Sequence, residues 1–145
     1  MPSNTIERVP DNTAEHLNEA ILARTARSVL HHARHRDRID RRLRELDREW
    51  DIERLLEANA GLFGFLGVAL GTGVDRRWLG LSALVGAFLF QHAVQGWCPP
   101  VPLFRRWGVR TAREIELERI ALKALRGDFD DAGEDPSRAL AAAAL

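Results

Sequence analysis

The chain contains one cysteine, one methionine and no tyrosine. A single cysteine excludes a disulfide framework and a thiolate zinc site. Net charge is missing as well: 21 basic and 21 acidic side chains balance over 145 residues, which removes the compositional argument for a nucleic-acid partner. There is no phosphate-binding glycine loop, zinc-protease helix or nucleophile elbow, so no motif marks a catalytic residue, a metal or a cofactor, and no enzyme activity is expected. At 46% hydrophobic and 29% charged, the average composition is that of an ordinary soluble domain of this length.

That average hides where the charges are absent. No ionisable residue lies between Glu57 and Asp75, and between Arg77 and Arg105 the only titratable side chains are His92 and Cys98. At a helical rise of about 1.5 Å per residue the first gap covers about 27 Å, close to the thickness of a bilayer's hydrocarbon core. Trp78 and Trp97 bracket the second gap about 28 Å apart, as expected of indoles resting in the two interfaces. The glycines at 61, 64, 67 and 71 would weaken a helix in water but allow close helix approach in lipid. A soluble all-helical bundle is the alternative, and it would require the charged flanks to wrap two wholly buried helices.

Gly71, Gly73 and the polar tip Asp75, Arg76 and Arg77 leave room only for a tight turn, so the two spans, about 58–74 and 78–97, form an antiparallel hairpin. Arginines crowd both flanks, at 34, 36, 38, 41, 42, 44, 48 and 54 and again at 105, 106, 110, 113, 119 and 126, while the tip has two. The positive-inside rule then places both termini in the cytoplasm. Of the 21 basic residues only Lys123 is a lysine, a bias that fits a GC-rich coding sequence rather than selection for phosphate. The first apolar run starts more than fifty residues from Met1 without a small-residue cleavage pattern, so no signal peptide is expected.

The flanks also carry helical signals. Asn12 and Glu15 are spaced as a capping box, opening a helix that would run through the charged segment toward the membrane. Ile39, Leu43, Leu46 and Trp50 form a narrow apolar stripe, suited to a coiled-coil seam or to a helix docked on the membrane surface. Pro99, Pro100 and Pro102 end the second span near Gly96. Leu103, Phe104 and Trp107 alternating with Arg105 and Arg106 suit a short piece in the headgroup region. Thr111 and Glu114 form a second capping box, opening an amphipathic helix to Leu125 that Gly127 terminates. The acidic and alanine-rich end is read as unstructured.

Three sets of residues stand out. Ala60, Gly64, Gly67 and Gly71 share a face of the first span, and Ser82 and Gly86 share one of the second; such small-residue faces pack helices tightly, within the hairpin or between copies. Gln91, Gln95 and Cys98, with His92 beside them, lie at the cytoplasmic end of the second span, where Cys98 is either a reactive thiol or a space-filler before Pro99. His31, His32 and His35 are spaced like metal ligands, but no acidic or cysteine partner is fixed nearby, and Arg34 and Arg36 oppose a cation; they are read as a solvated basic face, not a metal site.

The stretch Gln91 to Pro100, with Gly96, Trp97, Cys98 and Pro99, followed by Gly108, Val109 and Arg110, resembles the YgaP-like inner-membrane family over roughly residues 50–129. That family's two-helix hairpin occurs alone or behind a rhodanese domain. The resemblance implies a bacterial inner membrane. It does not carry over sulfurtransferase activity, because no rhodanese active-site loop is present here.

The expected architecture is therefore all-α: an integral membrane helical hairpin with amphipathic cytoplasmic helices at both ends. It divides into a charged segment 1–49, a hairpin with its following helix at 50–129, and a tail 130–145. The expected role is a non-enzymatic anchor or assembly module without cofactor. It would form homo-oligomers through the small-residue faces and contact anionic headgroups through Trp78, Trp97, Arg105 and Arg106. A cytoplasmic protein partner fits the arginine-rich flanks. The alternative is a sulfur relay or redox sensor on Cys98. A pore is disfavoured because no intramembrane charge marks a path.

Overall fold

The computed structural model describes residues 7–130. Among them the helices are α1 (Arg8–Asp11), α2 (Glu15–Arg34), α3 (Ile39–Leu46), α4 (Ile52–Gly73), α5 (Leu79–Gln95), α6 (Val101–Arg106) and α7 (Ala112–Arg126), with no strand. They fall into two compact units, the first holding residues 7–21 and Trp50–Ala112 and the second Leu22–Glu49 and 113–130.

In the first unit, α4 and α5 form the hairpin. The α4 helix starts before the charge-free run, because the Asp51 side chain caps it by accepting from the Arg54 backbone N–H at 2.8 Å. At the tip the N–H groups of Val74 and Asp75 both donate to the Leu70 carbonyl. Asp75 then caps a single 3-10 turn, Arg76–Trp78, that leads into α5. Gly96 ends α5 in the left-handed region at φ 74°, a conformation that glycine adopts without steric cost.

Among the described residues two helices are long and apolar enough to cross a membrane, Ile52–Gly73 and Arg76–Gln95, and only 17% and 6% of their apolar windows are buried within the protein. Phe65 is 69% exposed and Phe90 72%. A soluble core helix would bury these rings; in a bilayer they face acyl chains at no cost. The molecule is the all-α membrane hairpin that the charge pattern indicated, and a water-soluble bundle does not describe it.

Where α4 meets α5, Gly67 and Gly71 are buried and lie against Ser82 and Leu79. The Ser82 hydroxyl donates to the Gly64 carbonyl at 2.8 Å. At the base of the hairpin Val9, Ile52, Leu56, Cys98, Val101 and Phe104 form the unit's apolar core, with Leu55, Phe88 and Val109 packed on it.

Two expectations for the N-terminal segment are corrected. Asn12 does not cap α2: its side-chain amide donates to the carbonyls of Arg8 and Gln95 at 2.7 and 2.9 Å. The charged segment is not one continuous helix either, since α2 ends at Arg34 and a 3-10 turn, Arg36–Arg38, precedes α3.

In the second unit the stripe Ile39, Leu43 and Leu46 forms neither a coiled-coil seam nor a membrane-facing strip. It buries against Ile115 and Leu122 of α7, a second amphipathic helix of the same chain that supplies the apolar surface the stripe requires. Trp50 leaves the stripe; it stays exposed, with the Arg54 guanidinium 4.4 Å above its ring. The segment read as an unstructured tail lies, beyond Asp130, outside the described residues.

Candidate functional site at the base of the hairpin

The Asp51 cap sets Glu53 in the first turn of α4, facing the last turn of α5 across the hairpin. Glu53 Oε2 lies 2.8 Å from His92 Nε2, and Oε1 lies 3.3 Å from an Arg8 guanidinium nitrogen. The other end of that guanidinium donates to the Ala93 carbonyl at 2.9 Å. Arg8 and Asn12 thus satisfy carbonyls that α5 leaves open at its C-terminus, where a cation is also favoured by the helix dipole. Against a carboxylate, His92 Nε2 is the donor, which leaves the neutral ring's Nδ1 as an acceptor. It is buried without a partner among the described residues.

Cys98 lies beside this network and is buried in the apolar core. Burial pushes its thiol up from the usual range, against a backbone hydrogen bond at Val101 that lowers it and with a smaller push from the negative charge of Glu53. Cys98, Pro99 and Pro100 line an open apolar cleft of about 200 Å³ with Leu56, Ala60 and Phe88. Because a higher pKa lowers the thiolate fraction at a given pH, alkylation of Cys98 at pH 7 should be slower than that of a free cysteine. It should also need a more alkaline pH to reach its midpoint. A pH series with iodoacetamide measures this, and a midpoint at or below that of free cysteine would contradict it.

Residues 51–114 match the family model for the transmembrane domain of inner membrane protein YgaP-like proteins. This stretch is similar to a YgaP-like transmembrane domain. No curated protein and no solved structure matches the chain.

Within this stretch the sequence-derived residues separate into distinct environments. Gln91 and Gln95 are on the surface of the hairpin, 3.5 Å apart through their side chains, while His92 turns to Glu53 and Cys98 to the core. Of the small residues, Gly67, Gly71 and Ser82 sit in the α4–α5 contact, Ala60 lines the cleft, and a side chain at Gly64 or Gly86 would meet nothing within 4 Å. Trp78 and Arg106 are exposed and Trp97 is half-buried.

Arg105 departs from the headgroup role assigned to it. It is 1% exposed, donating to the Val109 carbonyl at 3.0 Å and to Asn18 Oδ1 at 2.7 Å. Its guanidinium ties the turn after α6 to the start of α2, so Arg106 is the arginine of that pair left facing outward. Glu53, Arg8 and Asn18 were missed from sequence. Only Glu53 carried a local signal, as an acid in the first turn after an Asp cap.

Outside the domain, His31 and His35 stack with ring centroids 4.5 Å apart. The Nδ1 atoms of His32 and His35 are held by the carbonyls of Ser28 and His31.

Proposed function

We propose that this protein is a non-enzymatic anchor or assembly module of a bacterial inner membrane, with both termini cytoplasmic, and that it oligomerises through small-residue faces of its hairpin. The observation that carries this reading is the division of labour among the glycines. Gly67 and Gly71 are spent inside the hairpin, whereas Gly61, Gly64, Gly80 and Gly86 have open space where a side chain would be. A second helix can approach closely there, on spans whose surface is almost wholly outward-facing. The two arginines of the tip, against the many of the flanks, support the cytoplasmic termini. Exposed Arg106 suits an anionic headgroup.

Cysteine crosslinking in membranes tests the assembly. In a Cys98→Ser background, Gly64→Cys or Gly86→Cys should give a disulfide dimer on oxidation, and absence of dimer at both positions would sink the oligomer reading. Arg76→Cys should label only from the outer side; labelling from the cytoplasm would reverse the topology.

A second reading, a sulfur relay or redox sensor on Cys98, draws on the cleft beside the thiol. The burial and raised pKa of that thiol favour the anchor. Mass spectrometry after persulfide exposure decides between them: an unmodified Cys98, where a control thiol is modified, leaves the relay without chemistry.

A further inference from the structure

The neutral total of the chain hides one stretch that is not neutral. Between Glu19 and Asp37 there is no acid, and Arg24, Arg27, Arg34 and Arg36 all fall within it. Most of this stretch is the second half of α2, residues 22–34, which belongs to the second unit. One side of it turns inward: Thr25 and His32 are buried, and the Ser28 hydroxyl bonds to Glu118 of α7. The next sector of the helix surface is apolar and uncovered. Leu22 and Leu30 are 58% and 62% exposed, Ala26 and Ala33 are exposed with them, and Val29 is half-buried. Their spacing places them in one strip. Arg27 and Arg34 follow round the helix on the side of Leu30, both exposed and without an ion pair among the described residues.

An apolar strip bordered by guanidinium groups is the pattern of a helix lying in a membrane surface, its leucines among the acyl chain ends and its arginines at headgroup level. Two observations select an anionic bilayer over a second copy of the chain. With no acid between Glu19 and Asp37, a paired α2 would leave Arg27 and Arg34 beside like charges, whereas anionic headgroups answer both. In addition, α3 is joined to the membrane-crossing α4 by residues 47–51, at most about 18 Å of chain. The second unit is therefore held close to the bilayer. A strip with only two leucines, too weak to bind from solution, docks at that effective concentration.

We propose that the second half of α2 lies on the membrane as a peripheral foot, with Leu22, Ala26 and Leu30 entering the interface and Arg27 and Arg34 holding anionic phospholipid headgroups. This rests on the hairpin lying in the bilayer, not on which side its termini face.

A depth measurement on the full chain tests it. The protein carrying Cys98→Ser and Ala26→Cys is spin-labelled at position 26 and reconstituted into vesicles of phosphatidylcholine alone or with phosphatidylglycerol. Collisions with oxygen, which dissolves in acyl chains, are compared with those of a neutral nickel chelate, which stays in water and is present on both faces of the vesicle. The ratio should rise several-fold in the anionic vesicles, as expected of a helix seated about 5–10 Å into the headgroup boundary. Arg27→Gln with Arg34→Gln should shift docking toward water about twentyfold, about fivefold for each arginine lost at an anionic surface. Arg41→Gln with Arg44→Gln removes the same charge from exposed positions of α3 and should leave the label in lipid. A label that stays in water in both vesicles, or a depth that survives the loss of Arg27 and Arg34, would overturn the proposal. So would shielding in phosphatidylcholine alone with spin–spin broadening, the mark of a second copy. Flotation separates this failure from that of the hairpin: protein that floats with neither lipid loses the hairpin and the foot together, and protein that floats with its label in water loses only the foot.

Discussion

Leucine in place of Gly67 should open the hairpin. A Cβ built at Gly67 would lie 2.9 Å from the Ser82 backbone nitrogen and 3.0 Å from the Trp78 carbonyl oxygen. Those are backbone atoms in the first turns of the second span and cannot rotate away as a flexible side-chain end could. The helices must therefore separate, which also removes the bond from the Ser82 hydroxyl to the Gly64 carbonyl. The summed cost should be about 3 kcal/mol, at the upper end of what overpacking causes in well-packed interiors. It is readable as a lower thermal unfolding midpoint in detergent and a longer spin-label distance between positions 66 and 84. Leucine at Gly64 provides the contrast, because nothing lies within 4 Å of a Cβ there. It should leave the intramolecular distance unchanged while blocking any contact between copies. Equal effects at both positions would mean that Gly67 is not the closest approach of the two helices.

This contrast also shows how far local pattern carries. The hairpin was legible because solvent selects for it: a charge-free stretch the length of a bilayer, twice over with a short polar tip, has few other uses. Small residues at 64, 67, 71 and 82 were legible as packing residues for the same kind of reason. Which of them faced the partner helix was not, because helix rotation about its axis is set by the packed pair and not by either sequence. The stripe Ile39, Leu43 and Leu46 was readable as a face needing cover. That Ile115 and Leu122 supply the cover is a long-range fact with no local signature. The polar network at the base follows the same rule. His92 stands 39 residues from Glu53 and Arg105 stands 87 from Asn18, and nothing in either neighbourhood names the other. Arg105 was misread for this reason: flanked by Phe104, Arg106 and Trp107 it looks interfacial, and only the fold reveals an acceptor for it inside.

The second large effect is expected at Glu118, in the unit outside the membrane domain. Its side chain is 1% exposed, an arrangement tolerable for a carboxylate only if its oxygens are occupied. They are: Oε1 accepts from the Ser28 hydroxyl at 2.5 Å and from Arg42 Nε at 2.8 Å, and Oε2 accepts from a second Arg42 nitrogen at 3.2 Å. One carboxylate therefore joins α2, α3 and α7, and the Arg42 guanidinium is held above its usual pKa chiefly by that bond. Glu118→Ala removes these three acceptor contacts and leaves a cavity beside Leu122. The loss should be roughly 3 kcal/mol, the lower end for breaking a buried pair, because Arg42 is a quarter exposed and can turn to Glu45 and water. Arg42→Ala should cost a comparable amount, since it withdraws two bonds from the more deeply buried partner. The double variant should then cost less than the sum of the two. Chemical denaturation of the four proteins measures that coupling, and strict additivity would show that the bridge does not hold the three helices together.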